Sequence, residues 1–219
     1  MQSRVDQQIR ALTLAKGCAA LGARVRTISH LTGMNPRDVL RLLFPDRRHS
    51  VPRGRCPDSP EWYHGTNLLN RAEASIVMAI FRRLRCADCY ASESLLGAYR
   101  HYVGVCQPPH RISFDRAFDL AAHTDGLWVN KTQSFSLVTC THCHSEFLAA
   151  FGSAARSNEH CPFCKLVRRY GTDARLQSSF ATRPLIAPTD MQMGMLALLR
   201  NSNKTVAKSS PRLTSDPAD

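Results

Sequence analysis

Cys140-Thr-His-Cys143 and Cys161-Pro-Phe-Cys164 form two C-x2-C pairs with seventeen residues between them. Thiols at that spacing can make a metal site: each tight turn presents two thiolates, and the intervening loop lets the pairs converge on a tetrahedral Zn²⁺. The first expectation is therefore one structural zinc ion per chain, held by Cys140, Cys143, Cys161 and Cys164. A closed four-thiolate shell leaves no coordination position for substrate or water, so its role is to fold the segment around it. In small finger peptides the apparent binding energy of such a site is about 10–16 kcal/mol near neutral pH.

The same segment offers an enzymatic alternative. His144-Ser-Glu146 followed by Cys161-Pro-Phe-Cys164 imitates the H-x-E and C-x-x-C parts of a zinc deaminase. There His144, Cys161 and Cys164 would hold the metal, and Glu146 would move the proton of a zinc-bound water. Against it, His160 stands where a proline should precede the pair, and the two halves lie close together. Cys140 and Cys143 also complete a thiolate set that makes His144 redundant. His142, His144 or His160 could each replace a thiolate, although imidazoles beside a metal site are more often surface neighbours. No phosphate-cradling glycine loop, serine elbow or paired carboxylate stands out, so the chain does not read as an enzyme. A further pair, Cys86-Ala-Asp-Cys89, with Cys106 as a third ligand, has no second knuckle and no preceding strand. Small buried hydrophobes are the commoner role of such thiols.

Charge supplies the second class of chemistry. The 219 residues carry a net charge of +12. Residues 1–55 hold eleven Lys/Arg against three acids, residues 56–139 eight against eight, and residues 140–219 ten against six. Two basic ends around a neutral middle suit a polyanion partner, and arginine, whose planar fork matches phosphate, far outnumbers lysine. Aromatic residues are only 7% and do not interleave with the basic stretches, which favours duplex DNA over a single-strand stacking platform. Arg24, Arg26, Arg37, Arg41, Arg47, Arg48, Arg53 and Arg55 are the candidate contacts from charge and position. A solubilising basic face, with the zinc segment serving as a protein-interaction module without direct DNA readout, is the alternative. The polar start MQSRVDQQIR and the lack of an apolar run of ~18–20 residues predict no membrane span and a reducing cytoplasm. Nine cysteines, five of them scattered (Cys18, Cys56, Cys86, Cys89, Cys106), do not suggest a disulfide framework.

The elements that must carry these groups are mainly helical. Val5, Ile9, Leu12, Ala15 and Ala19 recur at helical spacing. A second helix over 23–31 turns Val25, Ile28 and Leu31 to one side. Gly33 ends it, and Asn35 caps a third helix over 36–44 with Pro36 first and Asp38 in its first turn. That helix directs Val39, Leu40 and Leu43 inward and exposes Arg37 and Arg41, in the outline of a helix-turn-helix. Residues 45–60 read as a linker. Helices follow over 68–84, with a stripe of Leu69, Ala72, Ile76, Ala79 and Ile80 wide enough for a core or a partner chain, over 92–105 capped by Ser92, and over 113–123 capped by Ser113. Short strands are expected at 127–129, 135–138 and 146–149, framing the first knuckle as in a zinc ribbon. A short helix over 190–200 precedes a polar end. The predicted organisation is mainly α with a small β zinc-ribbon-like module: a helical domain over 1–125 with a partner-binding middle, a zinc-binding module over 126–172, and a largely disordered basic tail over 173–219.

The runs LGARVRTISHLTGMNPRDVLRLL, PRGRCPDSPEWY, GAYRHYVGVC and LVTCTHCHSEFLA…HCPFCKL together resemble the FlhC family, the zinc-containing subunit of the bacterial flagellar master regulator. The resemblance runs in order from the first helix to about Tyr170. It implies a transcriptional activator that works with FlhD, in a heterohexamer of four FlhD and two FlhC chains, on promoter DNA upstream of flagellar operons, and that recruits RNA polymerase. The family's zinc ligands fall on Cys140, Cys143, Cys161 and Cys164. The Cys86/Cys89 pair and the tail after Tyr170 are outside the family's pattern.

Overall fold

The computed structural model describes residues 3–45, 62–63, 66–129, 132–151 and 161–180, all within one compact unit, Met1–Phe180. The linker beyond Pro45, the helix expected over 190–200 and the tail beyond Phe180 lie outside the described residues. In order, the elements are α1 (Arg4–Ala20), α2 (Val25–Thr32), α3 (Pro36–Leu43), α4 (Leu68–Cys86), α5 (Ala91–Val105), α6 (Phe114–Asp125), β1 (Phe135–Thr139), β2 (Glu146–Ala150), α7 (Pro162–Tyr170) and α8 (Ala174–Ser178). The fold is mostly helical with a two-stranded antiparallel sheet.

Local chemistry sets the helix ends. Asn35 accepts from the Arg37 N–H and Ser113 from the Arg116 N–H, while Gly33 and Gly126 close α2 and α6 with left-handed φ of 72° and 66°. These positions need a residue without the Cβ penalty at positive φ. The first residue of α5 is set differently from expectation. Tyr90 is its N-cap, because the Ser92 hydroxyl donates instead to the Leu31 carbonyl at 2.8 Å, tying α5 to α2.

α4 is the hub. Ala74, Val77, Met78 and Phe81 are fully buried on it, and it packs on α5, α6, β2 and α7. Its Ile76, Ala79 and Ile80 are only half-buried, so the periodic stripe is rotated from the one that its spacing predicts. α1 differs more: Leu14, Ala15 and Cys18 are buried, whereas Val5 and Ile9 are 60% and 58% exposed. On α3, Val39 is buried but Leu40 is 42% exposed. In each case the period is right, and the neighbouring helix decides which side is covered. Residues 127–129 are not a strand. Trp128 takes φ 56° and stacks on Phe118 at 5.0 Å, turning the chain toward β1.

Two buried carboxylates lock the bundle. Glu73 of α4 accepts from Tyr102 Oη and from Arg111 N and Nη1, the last two at 2.9 and 2.6 Å. Asp115 of α6 accepts from Arg24 N at 3.0 Å, Thr27 Oγ1 at 2.5 Å and Arg24 Nη1 at 3.2 Å. Arg24, the N-cap residue of α2, provides no side-chain cap of its own. Asp115 supplies that cap from across the fold, where the helix dipole also favours its charge.

Candidate metal centre

The hairpin β1–β2 stands between the helical core and the cysteines. Leu137 pairs with Leu148 in the register, so the Leu148 N–H and C=O point away from β1. They are satisfied by α4 and the segment before it: Leu148 N–H donates to Ser75 Oγ at 3.1 Å, and Tyr63 Oη donates to Leu148 O at 2.6 Å. Side chains alternate along β2, as the two-residue period of a strand requires. Leu148 joins the helical core, while Phe147 and Ala149 pack with Cys140 and Cys161. One short strand thereby fastens the cysteine cluster to the bundle.

The first pair sits in the turn that joins β1 and β2. Cys140 N–H donates to Ser145 O at 3.0 Å, His144 N–H to Cys140 O at 2.9 Å, and His144 takes φ 57° to close the knuckle. The second pair is presented by a helix start, which the spacing did not reveal. Cys161 is the N-cap of α7, Pro162 is its first residue and Cys164 lies in its first turn. Cys161 makes no side-chain cap hydrogen bond, so its sulfur stays available to the cluster at the positive end of the helix.

These arrangements bring together Cys140, Cys143, Cys161 and Cys164. Their four sulfurs all lie within 4.8 Å of one another, with Cys140–Cys164 at 3.8 Å and Cys143–Cys161 at 3.7 Å. A disulfide needs about 2.05 Å, so the thiols are free. A single ion with metal–sulfur bonds of about 2.3 Å sets tetrahedral edges of about 3.8 Å, which matches the observed separations. The thiols are strongly coupled. Burial pushes the Cys143 thiol up, but hydrogen bonds from the Ser145 N–H and hydroxyl, together with contacts to Cys164 and Cys140, bring it down to about 6. Hydrogen bonding with Cys143 and burial push Cys164 up to about 12, and burial raises Cys161. A bound dication would let all four ionise.

The other sequence candidates separate clearly. His142 and His144 are exposed and are not in the sulfur cluster. Glu146, the proton carrier of the deaminase alternative, is ion-paired with Arg82 of α4. Cys106 is raised to about 11 by burial and Cys18 to about 12, and neither pairs with Cys86 or Cys89 in a metal-sized group among the described residues. Among the nominated arginines, Arg26, Arg37 and Arg41 are exposed, Arg41 beside Asp38 at 3.3 Å. Arg24 is bound to Asp115, so its guanidinium serves the fold. Arg47, Arg48, Arg53 and Arg55 lie outside the described residues. No helix among the described residues is long and apolar enough to cross a membrane.

A family model described as Flagellar transcriptional activator (FlhC) matches residues 1–177. The flagellar transcriptional regulator FlhC of Thauera aminoaromatica is 26% identical over 175 residues, 77% of this chain and 83% of its own. That of Cupriavidus metallidurans is 26% identical over 200 residues, 86% and 85% of the two chains, and that of Sodalis glossinidius is 25% identical over 166 residues, 73% and 80%.

Proposed function

Because the chain belongs to the FlhC family of flagellar transcriptional activators, we propose that it activates flagellar operons by binding promoter duplex DNA. In this reading it acts in the cytoplasm, together with FlhD in a heterohexamer of four FlhD and two FlhC chains, and the complex recruits RNA polymerase. The observation that carries the reading is the four-sulfur cluster, which lies within the residues that the family model matches. Regulation of transcription is not an enzyme class, and a closed tetrathiolate has no open position for catalysis.

The cluster is assigned to one structural Zn²⁺ held by Cys140, Cys143, Cys161 and Cys164. Zinc is redox-inert and suits a tetrahedral thiolate set; when bound, it neutralises two of the four thiolate charges and joins the hairpin turn to the start of α7. Arg26, Arg37 and Arg41 on the exposed sides of α2 and α3 are the phosphate contacts assigned to the amino-terminal end, with Arg47, Arg48, Arg53 and Arg55 continuing the basic run in sequence. Arg24 contributes by holding α2 against α6. The most buried side of α4 is covered within the chain, and this reading gives FlhD the exposed Val5 and Ile9 of α1 and Leu40 and Leu42 of α3.

The test is fluorescence anisotropy of the chain co-purified with FlhD, on a flagellar promoter duplex and a scrambled duplex across a salt series. Preferential promoter binding that persists at physiological salt is expected. Equal or absent binding to both duplexes would leave the basic ends as solubilising surface and favour a protein-interaction role.

A further inference from the structure

α7 and α8 expose a concentration of positive charge that the amino-terminal reading does not use. Residues 161–180 contain Lys165, Arg168, Arg169 and Arg175 against one acid, Asp173. Arg168, Arg169 and Arg175 are exposed and Lys165 is half-buried. Among the described residues none of these four cations has an ion pair. Asp173 is engaged as the cap of α8, accepting from the Arg175 and Leu176 N–H groups at 3.0 and 3.4 Å. Lys165, Arg168 and Arg169 are spaced i, i+3 and i+4, so they share one side of α7 and extend the line that Cys161 and Cys164 begin. Lys165 and Arg168 also line an open groove of about 560 Å³ beside the sulfur cluster, together with Ser145, Phe163, Val167, His142, Cys143 and Cys164.

Two ordinary roles account for part of this charge. A tetrathiolate holding a dication keeps a net negative charge, which attracts Lys165. A cation in the last turn of a helix gains about 0.3–1 kcal/mol from the dipole, which suits Arg168 or Arg169. Neither role explains Arg175, on a separate helix, nor the exposure of three guanidiniums on α7 and α8, of which Arg168 lines the groove. The fold also supplies rigidity. α7 packs on α4, its first turn holds two of the four sulfurs, and Leu176 is buried beneath α8.

The geometry points to this face, Lys165, Arg168, Arg169 and Arg175, as a second phosphate-gripping surface that takes the backbone of duplex DNA. It rests on the DNA-binding reading above and deepens it, since the metal centre then sets the position of a DNA contact as well as the local fold. Guanidinium forks match phosphate bidentately, and each lost phosphate contact lowers the salt slope of binding by about 0.9.

The experiment compares the full chain co-purified with FlhD, wild type against R168Q/R169Q/R175Q and R168K/R169K/R175K. Binding to a labelled flagellar promoter duplex is measured across a salt series, with metal content and circular dichroism followed in parallel. The Gln variant is expected to lose about three units of log–log slope with metal and helicity unchanged, and the Lys variant to keep the wild-type slope. R175Q alone, outside α7, is expected to lose about one unit, which keeps the test valid where the triple variant fails to fold. A folded Gln variant with the wild-type slope, or one weakened only on a single strand of the same sequence, overturns the proposal and leaves the DNA reading standing. A wild-type chain that does not bind the duplex overturns the DNA reading itself.

Discussion

Cys143 and Cys161 are held in the cluster by different local devices. Cys143 is reached by the N–H and hydroxyl of Ser145, whereas Cys161 stands at the N-cap of α7 and is fully buried among Phe147, Ala149 and Cys140. Cys161 is therefore both a member of the sulfur cluster and a packing residue. Cys161→Ser is predicted to abolish stoichiometric metal binding and to expose 161–180 to limited proteolysis, while far-UV circular dichroism retains most of the helical signal. Unchanged metal content in that variant would contradict the ligand assignment. The convergence of the four cysteines was legible in the sequence because C-x2-C spacing is a local constraint. The role of Arg24 was not. Its partner Asp115 lies 91 residues away, and charge counting cannot distinguish a guanidinium aimed at a carboxylate from one aimed at solvent.

At the scale of elements, the amino-terminal helices depend on a cap that they do not contain. α2 begins at Arg24 without a side-chain cap, and the carboxylate of Asp115, 3% exposed, receives two donors from Arg24 and one from Thr27. Asp115→Ala leaves those donors without their acceptor and the guanidinium without its counter-ion. The expected loss is about 3 kcal/mol, or roughly 6–12 °C in Tm for a chain of this size. Thermal unfolding measures it, and a shift within error would mean that Asp115 does not anchor α2. Helices whose limits are written as local caps, such as Asn35–Pro36 and Ser113, could be read from sequence. α7 could not, because Cys161-Pro-Phe-Cys164 satisfies a metal knuckle and a helix start at once: Pro162 fits the first helical position as well as it fits a turn. Residues 127–129 failed in the opposite sense, since apolar and β-branched composition suggested a strand where Trp128 instead stacks on Phe118. The exposed Val5 and Ile9 show a further limit. A period identifies an apolar side, but only tertiary neighbours decide whether the chain itself covers it.

Across the unit that ends at Phe180, the hairpin makes the sulfur cluster continuous with the helical core. β2 sends Leu148 into the bundle and Phe147 and Ala149 into the sulfur cluster, and α4 touches both β2 and α7. The basic charge occurs on α2–α3, which pack on α1 and on each other, and on α7–α8, of which α7 packs on α4. Loss of the metal should therefore act beyond the knuckles, by freeing α7 from the hairpin turn and disturbing the cations that it carries. The most direct test is promoter binding by the full chain co-purified with FlhD, before chelation, after chelation verified by metal analysis, and after Zn²⁺ is restored. The predicted result is that preferential promoter binding falls on removal of the metal and returns with Zn²⁺ but not with Mg²⁺, with one zinc per chain in the active sample. Promoter binding unchanged in a verified metal-free sample would contradict the account.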